Sequence, residues 1–404
     1  MMKKKKAVII GGGPAGLIAA DVLSTHLDVT IIEKEKNVGQ KFLVAGKGGF
    51  NLTNSSTGDE LKNKYLPKNI LNEFLTEFDS NDLRDWFLNM GIKTFIGTSG
   101  RVFPEKGTKP VEVLNAIKTK LSNSGVTFLL QHKFSGFKNC KTILVEQKGR
   151  ELTLEADYFI FALGGASWTK TGSDGRWTKD FEDFGVATKP FQSSNCGVNI
   201  SWNKNIIKHH TGKPLKNIKV YLDELEKVGE AVITEYGLEG NAVYPVVPGI
   251  REQLARNDHA HFFIDFKPFN TLEQLQLKVE KDNLSPKNYA DVFKLGTSQM
   301  AVIKMFTSKE EFLDPRSFIK KIKHLKIPAV SLRPIEEAIS TVGGIPMEEV
   351  NSDLSLKKSN NIFIVGEMLD WDAPTGGFLL QGCFSTGYFA AASILRRENI
   401  KGNK

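Results

Sequence analysis

The sequence predicts an α/β fold, a doubly wound nucleotide-binding domain interrupted by a β-rich insertion that itself carries a helical subdomain. Three observations predict it. A glycine-rich turn joins an apolar strand to a helix near the start of the chain. Two further apolar strands that end in glycine lie far downstream. Between them the texture changes to short segments of alternating polarity. A chain of 404 residues has room for two or three such domains.

Lys6-Ala7-Val8-Ile9-Ile10 reads as a short buried strand, and the basic lead-in Met1–Lys6 has too little apolar chain behind it for a signal peptide, so a cytoplasmic protein is expected. The strand runs into Gly11-Gly12-Gly13-Pro14-Ala15-Gly16 and then into a helical stretch, Leu17–Leu23. This is G-x-G-x-x-G between strand and helix. Gly11 permits the tight turn, Gly13 lets backbone approach a pyrophosphate, and Gly16 lets helix and strand pack closely. The helix start offers free N–H groups to the phosphates. A second strand, Val29–Ile32, ends in Glu33 about 20 residues on, where an acid accepts hydrogen bonds from an adenosine ribose. The motif marks a Rossmann-like dinucleotide site and leaves FAD and NAD both open.

Ala156–Ser167 is an apolar strand closing in Ala162-Leu163-Gly164-Gly165, and Asn361–Glu367 another closing in Gly366-Glu367. Thr375-Gly376-Gly377 then opens an apolar helix from Phe378. A site that recruits both ends of the chain is typical of FAD domains, whose C-terminal segment completes the flavin half. A reduced flavin is negative near N1 and O2, and a helix starting at Gly376-Gly377 would offset that charge. Residues about 190–270 predict an antiparallel sheet and 271–325 helices. The expected division is 1–189 with 336–404 as the nucleotide domain, 190–270 with about 326–335 as the β-rich domain, and 271–325 as the helical subdomain.

Composition excludes several classes. No uninterrupted apolar run reaches the roughly 18–20 residues of a membrane span, so no membrane partner is expected. Cys140, Cys196 and Cys383 are far apart, which leaves no C-x-x-C metal clip or redox dithiol and suits a reducing compartment. Cys383 reads as helix packing. His209-His210 are expected to diverge on a strand, and His259 with His261 supply only two ligands, so no metal is predicted. The 54 Lys and Arg against 46 Asp and Glu give a net charge of +8, which suits an anionic ligand or nucleic acid and equally simple solubility. The lysine run Ile319–Lys326 has helical spacing and reads as a solvated helix face. Without a second complete G-x-G-x-x-G, NADH or NADPH would serve only as a transient electron donor. Oligomeric state is not legible.

Further segments complete a pattern: Gly39–Asn54 (GQKFLVAGKGGFNLTN), Gly100–Pro104, Thr234–Gly240, Ser340–Ile345 and Gly366–Gly377 (GEMLDWDAPTGG). With them the chain resembles, nearly end to end, the YhiN/BaiN-like flavoproteins, also called the aminoacetone-oxidase-like or bile-acid-inducible reductase-like family. The resemblance implies non-covalent FAD held by a Rossmann-like domain with an inserted β domain. Many members read Gly-Arg-Cys-Asn-x-Thr-Asn after the first βαβ unit. Here Gly49 and Phe50 stand at the Arg and Cys positions while Asn51, Thr53 and Asn54 remain, and Leu238–Asn241 stands where many relatives have Ser-Gly-Pro. These departures bring the chain nearer a less characterised branch.

The expected cofactor-binding residues are Gly11, Gly13, Pro14, Ala15, Gly16, Glu33, Lys34, Lys41, Gly46, Lys47, Gly48, Asn51, Ala162, Leu163, Gly164, Gly165, Gly366, Glu367, Thr375, Gly376 and Gly377. Lys47, in a glycine loop, is a candidate cation near phosphate or flavin. Arg101, Tyr236, Glu239 and Asp372 are the catalytic candidates: Arg101 as a cation for an anionic substrate or the flavin edge, or equally a surface salt bridge, and Tyr236, Glu239 and Asp372, with Tyr244 and Trp371 beside them, because they lie in motif loops rather than in periodic core. The expected function is FAD-dependent oxidation or reduction of a small organic substrate. The alternative is a flavoprotein that binds or modifies RNA, which ranks second because RNA-modifying flavoproteins rely on cysteines that this chain lacks in suitable places.

Overall fold

The computed structural model describes residues 4–44, 50–257, 259–281 and 284–400. The chain divides into two compact units, Met1–Gln192 with Ser340–Lys404 and Ser193–Ile339.

The first unit is built on a six-stranded sheet ordered Ser355–Leu356, Ser359–Ile364, Tyr158–Phe161, Lys6–Ile10, Asp28–Glu33, Thr127–Leu130. All neighbours are parallel except the edge pair Ser355–Leu356 with Ser359–Ile364. Parallel strands are buried on both faces, and Ala7–Ile10 and Tyr158–Phe161 are accordingly buried without alternation. Lys6–Ile10 is flanked on one side by the next strand in the chain and on the other by one that arrives only at residue 158. The strand order therefore reverses at Lys6–Ile10, which is where a doubly wound sheet opens a crevice at its carboxyl ends.

Two helices seal that sheet. Pro14–Ser24 starts with proline in its first turn, and Phe378–Arg397 runs for 20 residues. They meet backbone to backbone, since a β-carbon at Gly387 would lie 2.2 Å from the Ala15 carbonyl oxygen; at the start of the first helix, a β-carbon at Gly16 would lie 2.1 Å from the carbonyl oxygen of Gly11 in the preceding turn. The long helix is apolar enough to cross a membrane by length and composition, but most of it is buried in this core.

The second unit holds a seven-stranded antiparallel sheet ordered Leu325–Ala329, Ala260–Asp265, Pro214–Leu222, Leu225–Ile233, Gly237–Glu239, Val198–Asn199, Ser331–Leu332. Leu325–Ala329 alternates buried and exposed, as a strand with one face in the core must. Helices Leu272–Lys281, Thr297–Met305 and Pro315–Lys323 add to a separate apolar core in which Tyr289 stacks on Phe318 at 4.0 Å. The lysine run differs from a plain solvated face. Lys320 and Lys326 are exposed, but Lys323 turns inward onto Asp265 at 2.5 Å. His209 and His210 lie in the turn after the short helix Lys204–Ile207 rather than on a strand.

Gly387→Ala forces the first and last helices apart and should cost about 1–3 kcal/mol. Scanning calorimetry of the ligand-free protein should show a lowered midpoint. Gly13→Ala, where an added β-carbon meets nothing within 4 Å, should leave that midpoint unchanged.

Candidate functional site

A cavity of about 340 Å³ opens at the carboxyl ends of the parallel strands of the first unit. Gly11, Gly13, Pro14, Ala15, Glu33, Lys34, Lys41, Ala162, Leu163, Gly164, Gly366 and Glu367 all line it, so residues from five separate stretches of the sequence converge there.

The turn is fixed from several sides. Gly11, at φ +106°, donates its N–H to Ile32 O at 2.9 Å, and any β-carbon there would strike Ala162 O at 2.4 Å. Gly12 is closed off by Val38, whereas Gly13 faces open space. That open cradle is what close approach of a pyrophosphate requires. Glu33 binds the turn as well as facing the cavity: Oε2 accepts from Gly12 N–H at 2.9 Å and Oε1 from Glu35 N–H at 3.0 Å. Burial raises its carboxyl pKa above the usual carboxylate value, and the two backbone hydrogen bonds oppose that shift.

Lys34 pairs with Asp174 at 2.9 Å. Burial works against ionisation of Asp174, yet the Lys34 ammonium and the Arg176 N–H hold its pKa below the usual range. Lys41 reaches Glu367 at 2.7 Å and Ser167 Oγ at 3.2 Å. Cys383 also lines the cavity, and burial, then the Glu367 charge, pushes its thiol pKa far up. Ser135 is a lining residue that sequence reasoning missed. Among the described residues its buried Oγ has no hydrogen-bond partner, the state of a hydroxyl that a ligand would satisfy. His132 and Trp177 were missed for the same reason, since they come from segments with no local motif.

The other expected cofactor residues fall elsewhere. Gly16 packs under the turn, and Gly165 faces Thr341, whose Oγ1 would be 2.3 Å from a β-carbon. Asn51 is half-buried and precedes the strand Thr53–Asn54. Gly46, Lys47 and Gly48 lie outside the described residues. Thr375, Gly376 and Gly377 form the entry to the last helix. Gly377, at φ +107°, lies against the Thr53 backbone, where a β-carbon would come within 2.2 Å. Asn54 Nδ2 donates to Gly376 O at 3.2 Å. Gly377, the N-cap residue, has no side chain with which to cap that helix.

Arg101 stands opposite Asn54 in the strand pair, and its Nε is 3.5 Å from where a Gly376 β-carbon would be. Among the described residues its guanidinium has no ion pair. Asp372 is buried, and its backbone exchanges hydrogen bonds with Leu66 at 2.8 and 2.9 Å. Trp371 Nε1 donates to Gly366 O at 2.9 Å. In the second unit Tyr236 donates to Glu239, and the Arg333 guanidinium lies 4.2 Å from the Tyr236 ring centre. Burial, then Glu239, holds the Tyr236 hydroxyl pKa far above its ordinary value. Tyr244 opens the short turn Tyr244–Val246.

A parallel sheet with a strand-order reversal, a glycine turn at that point and an acid ending the next strand define a Rossmann-like FAD-binding fold. The chain belongs to the family described as HI0933-like protein Rossmann domain, matched over residues 5–393. It is similar to a 3-dehydro-bile acid delta(4,6)-reductase of Clostridium scindens, at 25% identity over 96% of this chain and 98% of the relative. It is also similar to a ribosomal RNA dihydrouridine synthase of Haemophilus influenzae, at 22% identity over 98% of this chain and 100% of the relative. Among solved structures, the 3-ketosteroid delta1-dehydrogenase of Sterolibacterium denitrificans shares the fold with a TM-score of 0.52, at 12% identity over 97% of this chain and 100% of that one.

Gly13→Val fills the open cradle and should abolish cofactor retention without unfolding the chain. Glu33→Ala should weaken retention by roughly 1–3 kcal/mol, the worth of a charged acceptor. Flavin absorbance per mole of purified protein measures both, and full occupancy in the two variants would show that the turn does not bind the cofactor.

Proposed function

We propose that the protein is an FAD-dependent reductase of a carbon–carbon double bond conjugated with a carbonyl, acting on a small organic substrate. The observation that carries the cofactor part is the convergence on one cavity of the glycine turn, Glu33 and the Gly366-Glu367 pair, with Gly13 open and the Ser135 hydroxyl unpartnered. The names of the relatives support the reaction class. A 3-oxo steroid with a Δ4 bond and the uracil ring share an alkene made electrophilic by an adjacent carbonyl.

FAD, when bound, supplies the hydride chemistry. The chain's own residues hold and polarise. Gly13 and the helix start at Pro14 would hold the pyrophosphate, and Glu33 would accept from ribose hydroxyls. Lys41 and Glu367 neutralise each other, so Glu367 accepts hydrogen bonds without leaving a bare charge in the cavity. The start of the last helix at Gly376-Gly377 and the Arg101 guanidinium beside it form one positive locus for the charge that a reduced flavin or an enolate-like substrate oxygen would develop. Tyr236 and Glu239 lie in the second unit, hydrogen-bonded to each other, and are given no step in this chemistry. NADH or NADPH is the proposed electron source, binding only in passing.

A second reading places the double bond in a uridine of RNA. The name of the Haemophilus influenzae relative and the net charge of +8 favour it.

Acid should release flavin that co-migrates with FAD, and anaerobic NADH or NADPH should bleach the bound flavin. Reoxidation by a 3-oxo-Δ4 steroid, or by a uridine-containing RNA, should yield product with two added hydrogens by mass spectrometry. Recovery of FMN, or reoxidation by oxygen alone, would reject the proposal. Arg101→Gln should slow substrate-driven reoxidation by about 100-fold, the typical worth of one oxyanion donor, with flavin content intact.

A further inference from the structure

The second unit carries a cavity of about 560 Å³ to which the redox reading gives no role. Lys213, Lys216, Lys267 and Lys294 line it, and no aspartate or glutamate does. Lys213, Lys216 and Lys294 are exposed, and among the described residues their ammonium groups have no hydrogen-bond or ion-pair partner. A β-bulge sets Lys216 in place. The strand register shifts between Leu215 and Ile218, Asn217 takes a left-handed φ of +53°, and Lys216 and Asn217 both face outward while Leu215 and Ile218 stay buried. Lys267 Nζ donates to Lys294 O at 2.7 Å and so ties two walls together. Its pKa is lowered, first by burial and then by Lys278 and Lys294, which marks a place crowded with positive charge.

Phe269 also lines this cavity and is 76% exposed, the most exposed large hydrophobic side chain among the described residues. Its turn is rigid. Lys323 donates to Lys267 O at 2.9 Å and to Asn270 O at 2.7 Å while its charge is met by buried Asp265. An aromatic ring held in water by a fixed turn, among unpaired lysines, has the two parts of a single-strand site: cations for the backbone and a face for a base. An acidic peptide would use the lysines and leave the ring idle.

We propose that this groove binds a single-stranded polynucleotide, with phosphodiester oxygens on Lys213, Lys216 and Lys294 and a base stacked on Phe269. The site is independent of the flavin chemistry, so it stands even where the reductase reading fails.

Fluorescence anisotropy of labelled oligouridylate and oligodeoxythymidylate of about 12 nucleotides, titrated with the full-length flavin-loaded protein across salt, tests it. Three phosphate contacts predict a log–log salt slope of about −2. The double variant Lys216→Gln/Lys294→Gln should flatten that slope to about −0.7. Phe269→Ala should weaken binding about tenfold at unchanged slope. Lys320→Gln, an exposed lysine outside the groove, should change nothing, and flavin content should stay constant throughout. Preference between the two oligonucleotides identifies the source of the strand. Absence of binding, or variants that bind as the parent does, would overturn the proposal. So would inorganic polyphosphate competing equally well with Phe269→Ala without effect, which would mark a generic polyanion patch.

Discussion

The nucleotide turn depends on one close contact, the last helix against the first. Ala15 is its centre: Gly387 packs on its carbonyl, and a β-carbon on Gly366 would lie 3.2 Å from the Ala15 methyl. Gly16 in turn sits on Gly11 O. These approaches are possible only because glycine lacks a β-carbon, so the glycines set the distance between elements more than they add flexibility. The turn is thereby clamped between the ends of the chain, and the crevice at the strand ends inherits its shape from that clamp.

The electrostatics of the crevice follow the same economy. Glu33 is partly spent on its own turn, through Gly12 and Glu35, and Gly39 N–H meets Gly12 O at 2.8 Å from the other side. A buried carboxylate is costly unless hydrogen-bonded. The backbone donors offset part of that cost before any ligand arrives and leave Glu33 with lone pairs to offer. Lys41 and Glu367 settle their charges in the same way, and among the described residues Arg101 is a side-chain cation beside the entry to the last helix.

Much of this was legible because the informative residues act through their neighbours in sequence. Gly11, Gly13 and Glu33 carry meaning by spacing alone, and the uniformly apolar strands announce a parallel sheet. What escaped the reading depends on distant partners. Ser135 becomes a cavity wall only through the sheet, and Lys323 looks like one member of a lysine run until Asp265, from another strand, captures it. The outward pair Lys216 and Asn217 rests on a bulge that alternation cannot reveal. Asn54 was noticed within a motif, yet its hold on Gly376 O needs the two ends of the chain together.

The second unit closes on itself where it begins and ends. Val198–Asn199 pairs antiparallel with Ser331–Leu332, and Ile339 N–H reaches Asn195 O at 3.2 Å. To the remainder of the chain, a unit with its own apolar core and adjoining ends is topologically a short loop, so the entropy of closing a long excursion is met by the unit's internal contacts. Such a unit can be exchanged, shortened or elaborated by recombination at two neighbouring points. The nucleotide-binding unit keeps its own sheet and apolar core through any such change.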